Sequence, residues 1–163
     1  MNLNPVFDSP IPVANYLYKL NPEISPIKLQ KALYFLYAYH GGLYYNQDNE
    51  GESEGVKEPK TLFHAAFEAW KYGPVIREVY QLNKQGKIGT PEGIEKTMSL
   101  MENHLEEKHF IDDLFRQING VSDFALVERS HRDIVWEKTY GLKEDIKLMD
   151  NESIIQEYKE QYI

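Results

Sequence analysis

The chain contains no cysteine among its 163 residues. Disulfides, thiolate nucleophiles and cysteine-ligated zinc or iron–sulfur sites are therefore excluded, and the composition suits a reducing compartment. The sequence also lacks the roughly 18 consecutive apolar residues of a membrane helix. Its first 21 residues lack a basic start followed by an unbroken apolar run, so they do not have the pattern of a signal peptide. We expect a cytoplasmic protein with no membrane partner.

An excess of positive charge is absent as well. Lysine and arginine number 18 against 26 aspartates and glutamates, which gives a formal net charge of -8. Proteins that bind DNA or RNA usually carry a basic surface, because neutralising phosphates drives their affinity. The composition therefore does not favour nucleic acid as a partner. It suits a soluble protein that attracts basic partners.

What the chain has in quantity is apolar and aromatic side chains. Hydrophobic residues make up 42%, with 12 Tyr, 7 Phe and 2 Trp. A length of 163 residues fits one domain with a core of its own, and most of these aromatics are expected to fill that core. Strand patterns are few. We predict a mainly α fold: a compact helical bundle with a small β-hairpin, forming one domain over residues 1–163.

The first helices have clear local signals. Apolar spacing predicts a helix over Ile11–Leu20, which the following Asn-Pro pair ends. Ser25 and the proline after it are a cap and a preorganised first turn for a second helix. After Ala32 this helix is apolar or aromatic almost all round, which is typical of a helix surrounded by others. The glycine pair that starts at Gly41 is predicted to end it in a left-handed conformation.

The middle of the chain is less regular. Residues 46–60 hold a single aliphatic side chain, and we predict a flexible acidic loop there. The segments on either side, 43–45 and 62–65, are predicted to pair as the small hairpin. Residues 68–72 then lead to a glycine–proline corner and a helix over 75–82.

The second half reads as a series of helices. Thr90, followed by proline, starts a long amphipathic stretch that continues to Ile118, with a break near Lys108. Shorter helices are predicted at about 123–128 and 131–140, and a last one at about 152–162.

We find no motif typical of an enzyme or a metal site. The sequence has no His-Glu-x-x-His, nucleophile elbow, phosphate loop or dinucleotide fingerprint. His104 and His109 would point about 140° apart on a helix, which is poor for shared ligation. The paired carboxylates lie in polar stretches, where we expect them to be solvated. No catalytic residue, metal or cofactor is predicted.

Ser130 and His131 are neighbours, which raises the question of a catalytic pair. We interpret Ser130 instead as a helix N-cap, with Asp133 as the acidic residue three positions later. Catalytic pairs are assembled across a fold, so adjacency in sequence says little about them. A phage-associated hydrolase or transferase that uses His131 stays as an alternative.

The segment from Glu68 to Val75 concentrates Trp, Tyr, Gly and Pro in a few positions. Two roles are open for Trp70 and Tyr72. They lock the glycine–proline corner against the central helix, or they are anchors for a partner protein, since Trp and Tyr dominate binding hot spots.

Three stretches resemble the Panacea domain, the antitoxin domain of PanA- and SocA-like antitoxins in bacterial and phage toxin–antitoxin pairs. They are the helix from Lys28 to Phe35, the Trp-Lys-Tyr-Gly-Pro-Val segment with Tyr80 after it, and Leu126–His131 with Trp136 after it. The resemblance spans about residues 11–136. Ala32 departs from the family's usual leucine, and the acidic loop is longer than the usual turn.

The resemblance implies an α-rich fold and a non-enzymatic antitoxin that binds and neutralises a cognate protein toxin without a cofactor. Its alternative is a proteolytic adaptor that delivers a client protein. Two sets of residues match the family. The candidates for partner binding are Trp70, Tyr72, Tyr80, Ser130, His131 and Trp136. The candidates for a structural motif are Lys28, Gln30, Lys31, Gly73 and Pro74. Neither the toxin nor the oligomeric state follows from the resemblance.

Overall fold

A computed structural model describes residues 3–45 and 60–163. The helices within these residues are α1 Ile11–Leu20, α2 Pro26–His40, α3 Arg77–Lys84, α4 Pro91–Met101, α5 Leu105–Asn119, α6 Asp123–His131, α7 Ile134–Tyr140 and α8 Asn151–Gln161. The strands are β1 Pro5–Phe7, β2 Thr61–Phe63, β3 Phe67–Trp70 and β4 Gly73–Ile76. Except for Lys60, the predicted acidic loop lies outside the described residues. None of the described helices is long and apolar enough to cross a membrane.

Helix α2 is the centre of the core. Every side chain from Leu29 to Ala38 is buried, and the helix contacts α1, α3, α5, α6, α8, β2 and β4. Ser25 caps it as predicted, because its hydroxyl accepts a hydrogen bond of 3.0 Å from the backbone N–H of Lys28. The predictions of a mainly α fold and of a central helix wrapped by others are confirmed.

The two glycines after α2 have a different role from the predicted one. Gly41 keeps helical angles (φ -60°, ψ -45°), and the chain continues as one π-helical turn, Gly41–Tyr45. A β-carbon on Gly41 would lie 2.5 Å from Cγ1 of Ile155, and one on Gly42 would lie 2.4 Å from Cδ1 of Ile163. The glycines therefore allow the C-terminal segment to pack closely, which the sequence alone did not reveal.

The predicted pairing of residues 43–45 with 62–65 is wrong. Residues 43–45 belong to the π-helical turn, and β2 pairs in parallel with β1 (Pro5 opposite Thr61). The small hairpin is formed instead by β3 and β4, with Phe67 opposite Ile76 and Trp70 opposite Gly73. A parallel pair needs a long crossover, here α1 and α2, so its partner cannot be found from neighbouring sequence.

Some helix limits also differ from prediction. The amphipathic stretch breaks at residues 102–104 rather than near Lys108, and α3 begins at Arg77 because Val75 belongs to β4. Thr90 caps α4 as predicted, accepting 3.0 Å from the N–H of Gly93. The last helix begins and ends within one residue of its predicted limits.

Candidate functional site

The candidate site is the turn between β3 and β4, residues 70–74, together with the side chains that hold it and the surface it presents. The sequence segments that resemble one family meet here: α2 and α6 pack on β4, and α7 packs on β3. We call this segment the hairpin turn.

Two side chains of α2 occupy the free edge of β4. Gln30 accepts 2.9 Å from the N–H of Ile76 through Oε1 and donates 3.2 Å to its carbonyl through Nε2. Lys31 Nζ donates 2.8 Å to the carbonyl of Pro74. These groups satisfy the backbone as a neighbouring strand would, and they close an edge that is otherwise open to pairing. The hairpin turn is thereby fixed to the central helix.

Lys31 makes this contact from inside the protein. Its side chain is 2% exposed, and burial lowers its pKa from the usual 10.5 to about 7. Within the described parts of the chain, no carboxylate lies close enough to form an ion pair with it. The ammonium and amine forms therefore coexist near neutral pH.

Helices α6 and α7 hold the other side of the hairpin turn. Trp136 Nε1 donates 3.0 Å to the carbonyl of Trp70, and His131 Nε2 lies 3.0 Å from the carbonyl of Lys71. Because a carbonyl only accepts, His131 carries its proton on Nε2. Its ring also stacks on Trp136 at 4.2 Å between centroids, and Trp136 stacks on Tyr140 at 4.9 Å. These contacts give His131 a role in holding the turn.

Gly73 is the point where the turn is tightest. Its φ of +110° is rarely adopted by residues with a side chain. A β-carbon there would lie 2.4 Å from Oγ of Ser130 and 2.6 Å from Cε of Lys31. Both the backbone angle and the space therefore require glycine.

A pair of glycine-to-alanine variants separates these two requirements. Gly86 also has a positive φ (+72°), but no atom of residues 3–45 or 60–163 lies within 4 Å of a β-carbon added to it. We expect G86A to cost about 1 kcal/mol for the backbone angle alone. We expect G73A to cost about 1–2 kcal/mol more, because it also overpacks the space beside Ser130 and Lys31. Urea unfolding monitored by circular dichroism measures both, and equal losses would contradict the overpacking.

The interpretation of Ser130 as a helix N-cap is wrong. Ser130 lies in the last turn of α6, is fully buried, and donates 2.8 Å to the carbonyl of Val127. Asp133 stands before α7, but its side chain makes no cap bond. The carboxylate of Glu157, from α8, accepts 2.8 Å and 2.9 Å from the N–H groups of Ile134 and Val135. The cap therefore comes from a distant helix, which no local pattern reveals.

Asp133 is instead the centre of a buried polar cluster that the sequence did not indicate. It is fully buried and accepts hydrogen bonds from the hydroxyls of Tyr34 (2.5 Å) and Tyr158 (2.6 Å). Arg129 donates to its other oxygen at 2.8 Å. We call Asp133, Arg129, Tyr34 and Tyr158 the Asp133 cluster. It joins α2, α6 and α8 just behind the helices that hold the hairpin turn.

Two aromatic side chains of the hairpin, Trp70 and Tyr72, and one of the following helix α3, Tyr80, make up what we call the outer aromatic patch. Tyr72 is 58% exposed and Tyr80 is 40% exposed, while Trp70 is half-buried. The rings of Trp70 and Tyr80 meet edge to face with 5.1 Å between centroids. Such an arrangement gives the patch a defined shape before any partner binds.

Charged groups fix the position of Trp70. The guanidinium of Arg77 lies 5.2 Å from the centre of its ring, a cation–π contact. Arg77 also donates 2.7 Å and 2.9 Å to the two carboxylate oxygens of Glu68, and Trp70 Nε1 donates to Glu68 at 3.2 Å. Hydrogen bonding from Arg77 lowers the pKa of Glu68. The carboxylate therefore stays ionised and keeps both partners in place.

The chain before α8 extends the patch. The N–H of Ala69 donates 2.8 Å to the carbonyl of Lys147, and the N–H of Met149 donates 2.8 Å to the carbonyl of Phe67. Leu148 stands opposite Glu68 in this antiparallel bridge and is 59% exposed. Residues opposite each other in a sheet share a face, as do alternate residues along one strand. Leu148 lies opposite Glu68, and Trp70 is two residues after Glu68, so Leu148 and Trp70 lie on the same face. No periodic pattern around Leu148 pointed to this position.

The structure thus divides the six candidates for partner binding into two groups. Trp70, Tyr72 and Tyr80 form the outer surface, whereas Ser130, His131 and Trp136 lie behind the hairpin turn. Among the five motif residues, Gln30, Lys31, Gly73 and Pro74 meet at the turn. Lys28 lies elsewhere, donating 2.9 Å to the carbonyl of Asn119 at the end of α5.

The described residues do not bring together three or more His, Asp or Glu side chains that could hold a metal ion.

Comparison with known proteins gives one family. The model of the family described as antitoxin SocA-like, Panacea domain, matches residues 29–137, about two thirds of the chain. The matched region begins in α2 and ends in α7, and it includes all six candidates for partner binding. No curated protein and no solved structure matches the chain.

Proposed function

The chain belongs to the SocA-like antitoxin family with a Panacea domain, and from this we propose that it neutralises a protein toxin by binding it directly. The observation that carries the proposal is the outer aromatic patch on a hairpin held from behind. Tyr72 is 58% exposed, at the tip of a turn whose backbone carbonyls are bound by Lys31, His131 and Trp136.

The composition of the patch supports protein binding. Trp, Tyr and Arg are the side chains most enriched at binding hot spots, and Trp70, Tyr80 and Arg77 are packed together here. A partner that meets side chains already held in place loses less conformational entropy on binding. The buried contacts behind the turn therefore contribute to affinity without touching the toxin.

The test is a double variant at the two most exposed aromatics of the patch. We expect Y72A/Y80A to weaken binding to the cognate toxin at least about 30-fold, the effect of losing a single hot-spot residue that contributes about 2 kcal/mol. Both side chains are exposed, so the free energy of unfolding should change little. Calorimetric titration with the toxin, the product of a neighbouring reading frame, measures the affinity. Growth on co-expression measures neutralisation.

Phe124 provides the matched control. It is an aromatic residue, 71% exposed, near the start of α6, whereas the hairpin turn contacts the end of that helix. F124A should bind the toxin as the parent protein does. Unchanged affinity of folded Y72A/Y80A would contradict the proposed surface. A toxin that is degraded faster in the presence of this protein, rather than held inactive, would favour a proteolytic adaptor over a neutraliser.

A further inference from the structure

A second surface lies away from the hairpin turn. A groove of about 1360 Å³ runs between the π-helical turn after α2, the beginning of α5 and strand β1. Its described apolar lining comprises Val6, Tyr39, Leu43, Tyr44, Leu105, Phe110 and Leu114. None of the residues in the outer aromatic patch lines it. The proposed antitoxin role does not use this groove.

The floor of the groove is a cluster of three rings. His40 lies 4.8 Å from Tyr44 and 5.2 Å from Phe110 between centroids, and Tyr44 lies 6.1 Å from Phe110. Burial lowers the pKa of His40 to about 4, so this ring is neutral at physiological pH. Its Nδ1 is buried and has no hydrogen-bond partner among the residues that the structure describes. The floor is therefore uncharged and largely aromatic.

Part of this apolar lining is exposed. Leu105 is 55% exposed, Tyr44 42% and Leu43 41%. Apolar side chains that are gathered in one groove and left open to solvent mark interaction sites in soluble proteins. The volume exceeds the roughly 300–1,000 Å³ of pockets for small molecules. It is better suited to a segment of polypeptide.

The rim of the groove is acidic. Its carboxylates are Glu102, Glu106, Glu107 and Asp113, at the end of α4 and along α5. Lys60 is the lysine among the lining residues, and His104 lies 3.5 Å from Glu107. Among the described lining residues four carboxylates stand against one lysine, and the exposed contact of 3.7 Å between Arg116 and Asp113 offsets this excess only weakly, so the potential around the apolar floor is negative. That combination selects for a ligand that is apolar on one side and basic at its edges.

We propose that this groove binds a basic amphipathic helix of a partner protein. The apolar face of such a helix would cover Tyr44, Leu105 and Phe110, and its flanking lysines or arginines would meet the carboxylates of the rim. A second copy of this chain, with its net charge of -8, would be repelled. The chain's own residues 46–59 carry five carboxylates and one lysine, so the same repulsion disfavours them as the occupant.

The test uses a synthetic peptide of leucine and lysine with helical spacing, labelled with fluorescein, and the full chain. We expect fluorescence anisotropy to show saturable binding that weakens with salt, at least about tenfold tighter than that of a scrambled peptide of the same composition. In NMR spectra, the signals of Tyr44 and Leu105 should shift, whereas those of Tyr72 and Tyr80 should not. Equal binding of the scrambled peptide would overturn the proposal.

Matched variants locate the site. L105S removes an exposed leucine from the groove, and L142S removes one of similar exposure (51%) outside it. E102K reverses a charge on the rim of the groove. E95K reverses the charge of a nearby residue, on α4, that does not line the groove. We expect L105S and E102K each to weaken peptide binding at least about fivefold, with L142S and E95K within about twofold of the parent.

Equal effects of E95K and E102K would show that net charge alone attracts the peptide, and would overturn the proposal. Equal effects of L105S and L142S would show that an exposed leucine contributes to binding wherever it lies, and would also overturn the proposal. These measurements use no toxin. Their failure is therefore distinguishable from failure of the proposed function, which Y72A/Y80A tests separately.

Discussion

Replacing Asp133 with alanine is expected to lower the free energy of unfolding by about 3–5 kcal/mol, the cost of breaking a buried charge pair by removing one partner. The carboxylate is fully buried and accepts from two tyrosine hydroxyls and from Arg129. Without it, the guanidinium keeps its charge beside the rings of Tyr158 and Tyr162 and loses its carboxylate acceptor. One of its nitrogens, Nη2, is already buried with no partner in the described part of the chain.

The tyrosines cannot compensate for the missing carboxylate by ionising. Burial raises the pKa of Tyr34 and of Tyr158 well above 10, and the negative charge of Asp133 raises both further. Both hydroxyls therefore stay protonated at neutral pH and need an acceptor. In D133A the hydroxyls of Tyr34 and Tyr158 and the guanidinium of Arg129 all lose this acceptor at once, which is why the expected loss exceeds that of a single hydrogen bond.

Urea unfolding monitored by circular dichroism measures this loss. The matched control is D113A, because Asp113 is 74% exposed and its contact with Arg116 is long, at 3.7 Å. An exposed ion pair contributes little, so D113A should stay within about 0.5 kcal/mol of the parent protein. D133N keeps one acceptor oxygen and should fall between the two. A loss below about 1 kcal/mol in D133A would refute the role of the Asp133 cluster.

The stability of the protein is expected to rise between pH 7 and pH 9.5, and replacing Lys31 with methionine is expected to remove most of that rise. Lys31 has a pKa of about 7 in the folded protein, because of burial, and 10.5 as a free side chain. Between these values the unfolded chain holds the proton and the folded protein does not. Raising the pH therefore favours the folded state, by at most about 1.4 kcal/mol per pH unit.

The direction of the effect is fixed by this order of pKa values. Below pH 7 both states carry the proton, so Lys31 adds no slope there and its charge is fully unfavourable to folding. From pH 7 to 9.5 that penalty is relieved by about 3 kcal/mol. The buried tyrosines oppose further gain near pH 10, where they ionise only in the unfolded chain. Their contribution is the same in the parent and in K31M, and it cancels in the comparison.

The measurement is the free energy of unfolding in urea at pH 7.0 and pH 9.5 for the parent, K31M and K28M. Lys28 is on the same helix and also donates to a carbonyl, that of Asn119, but its side chain is only partly buried. K28M should keep the pH dependence of the parent. A K31M protein whose stability rises with pH as steeply as that of the parent would show that Lys31 is not the group that titrates.

The sequence singled out residues that meet at the hairpin but did not reveal what each one contacts. The resemblance singled out Gln30, Lys31 and Gly73, and the structure brings them to one turn. It also grouped Trp70 and Trp136 together as candidates for partner binding. The ring of Trp70 lies on the outer side, whereas that of Trp136 is buried behind the turn. Residue type and order along the chain do not encode the side of a hairpin on which a ring lies.

The sequence by itself determined the features that depend on neighbours along the chain. Apolar periodicity defined α1, the all-round apolar pattern identified α2 as the central helix, and Ser25 and Thr90 marked helix starts. Each depends on contacts within one or two helical turns, so a short stretch of sequence contains the whole signal.

The tertiary structure alone decided the features that join distant residues. It paired β1 with β2, supplied the cap of α7 from Glu157, and buried Asp133 among side chains of three helices. It also placed Leu148 beside the outer aromatic patch. In each case at least one deciding partner lies 20 or more residues away, where chain folding rather than local pattern sets the distance. Many sequences share such residue types, and only the packed fold selects which of them meet.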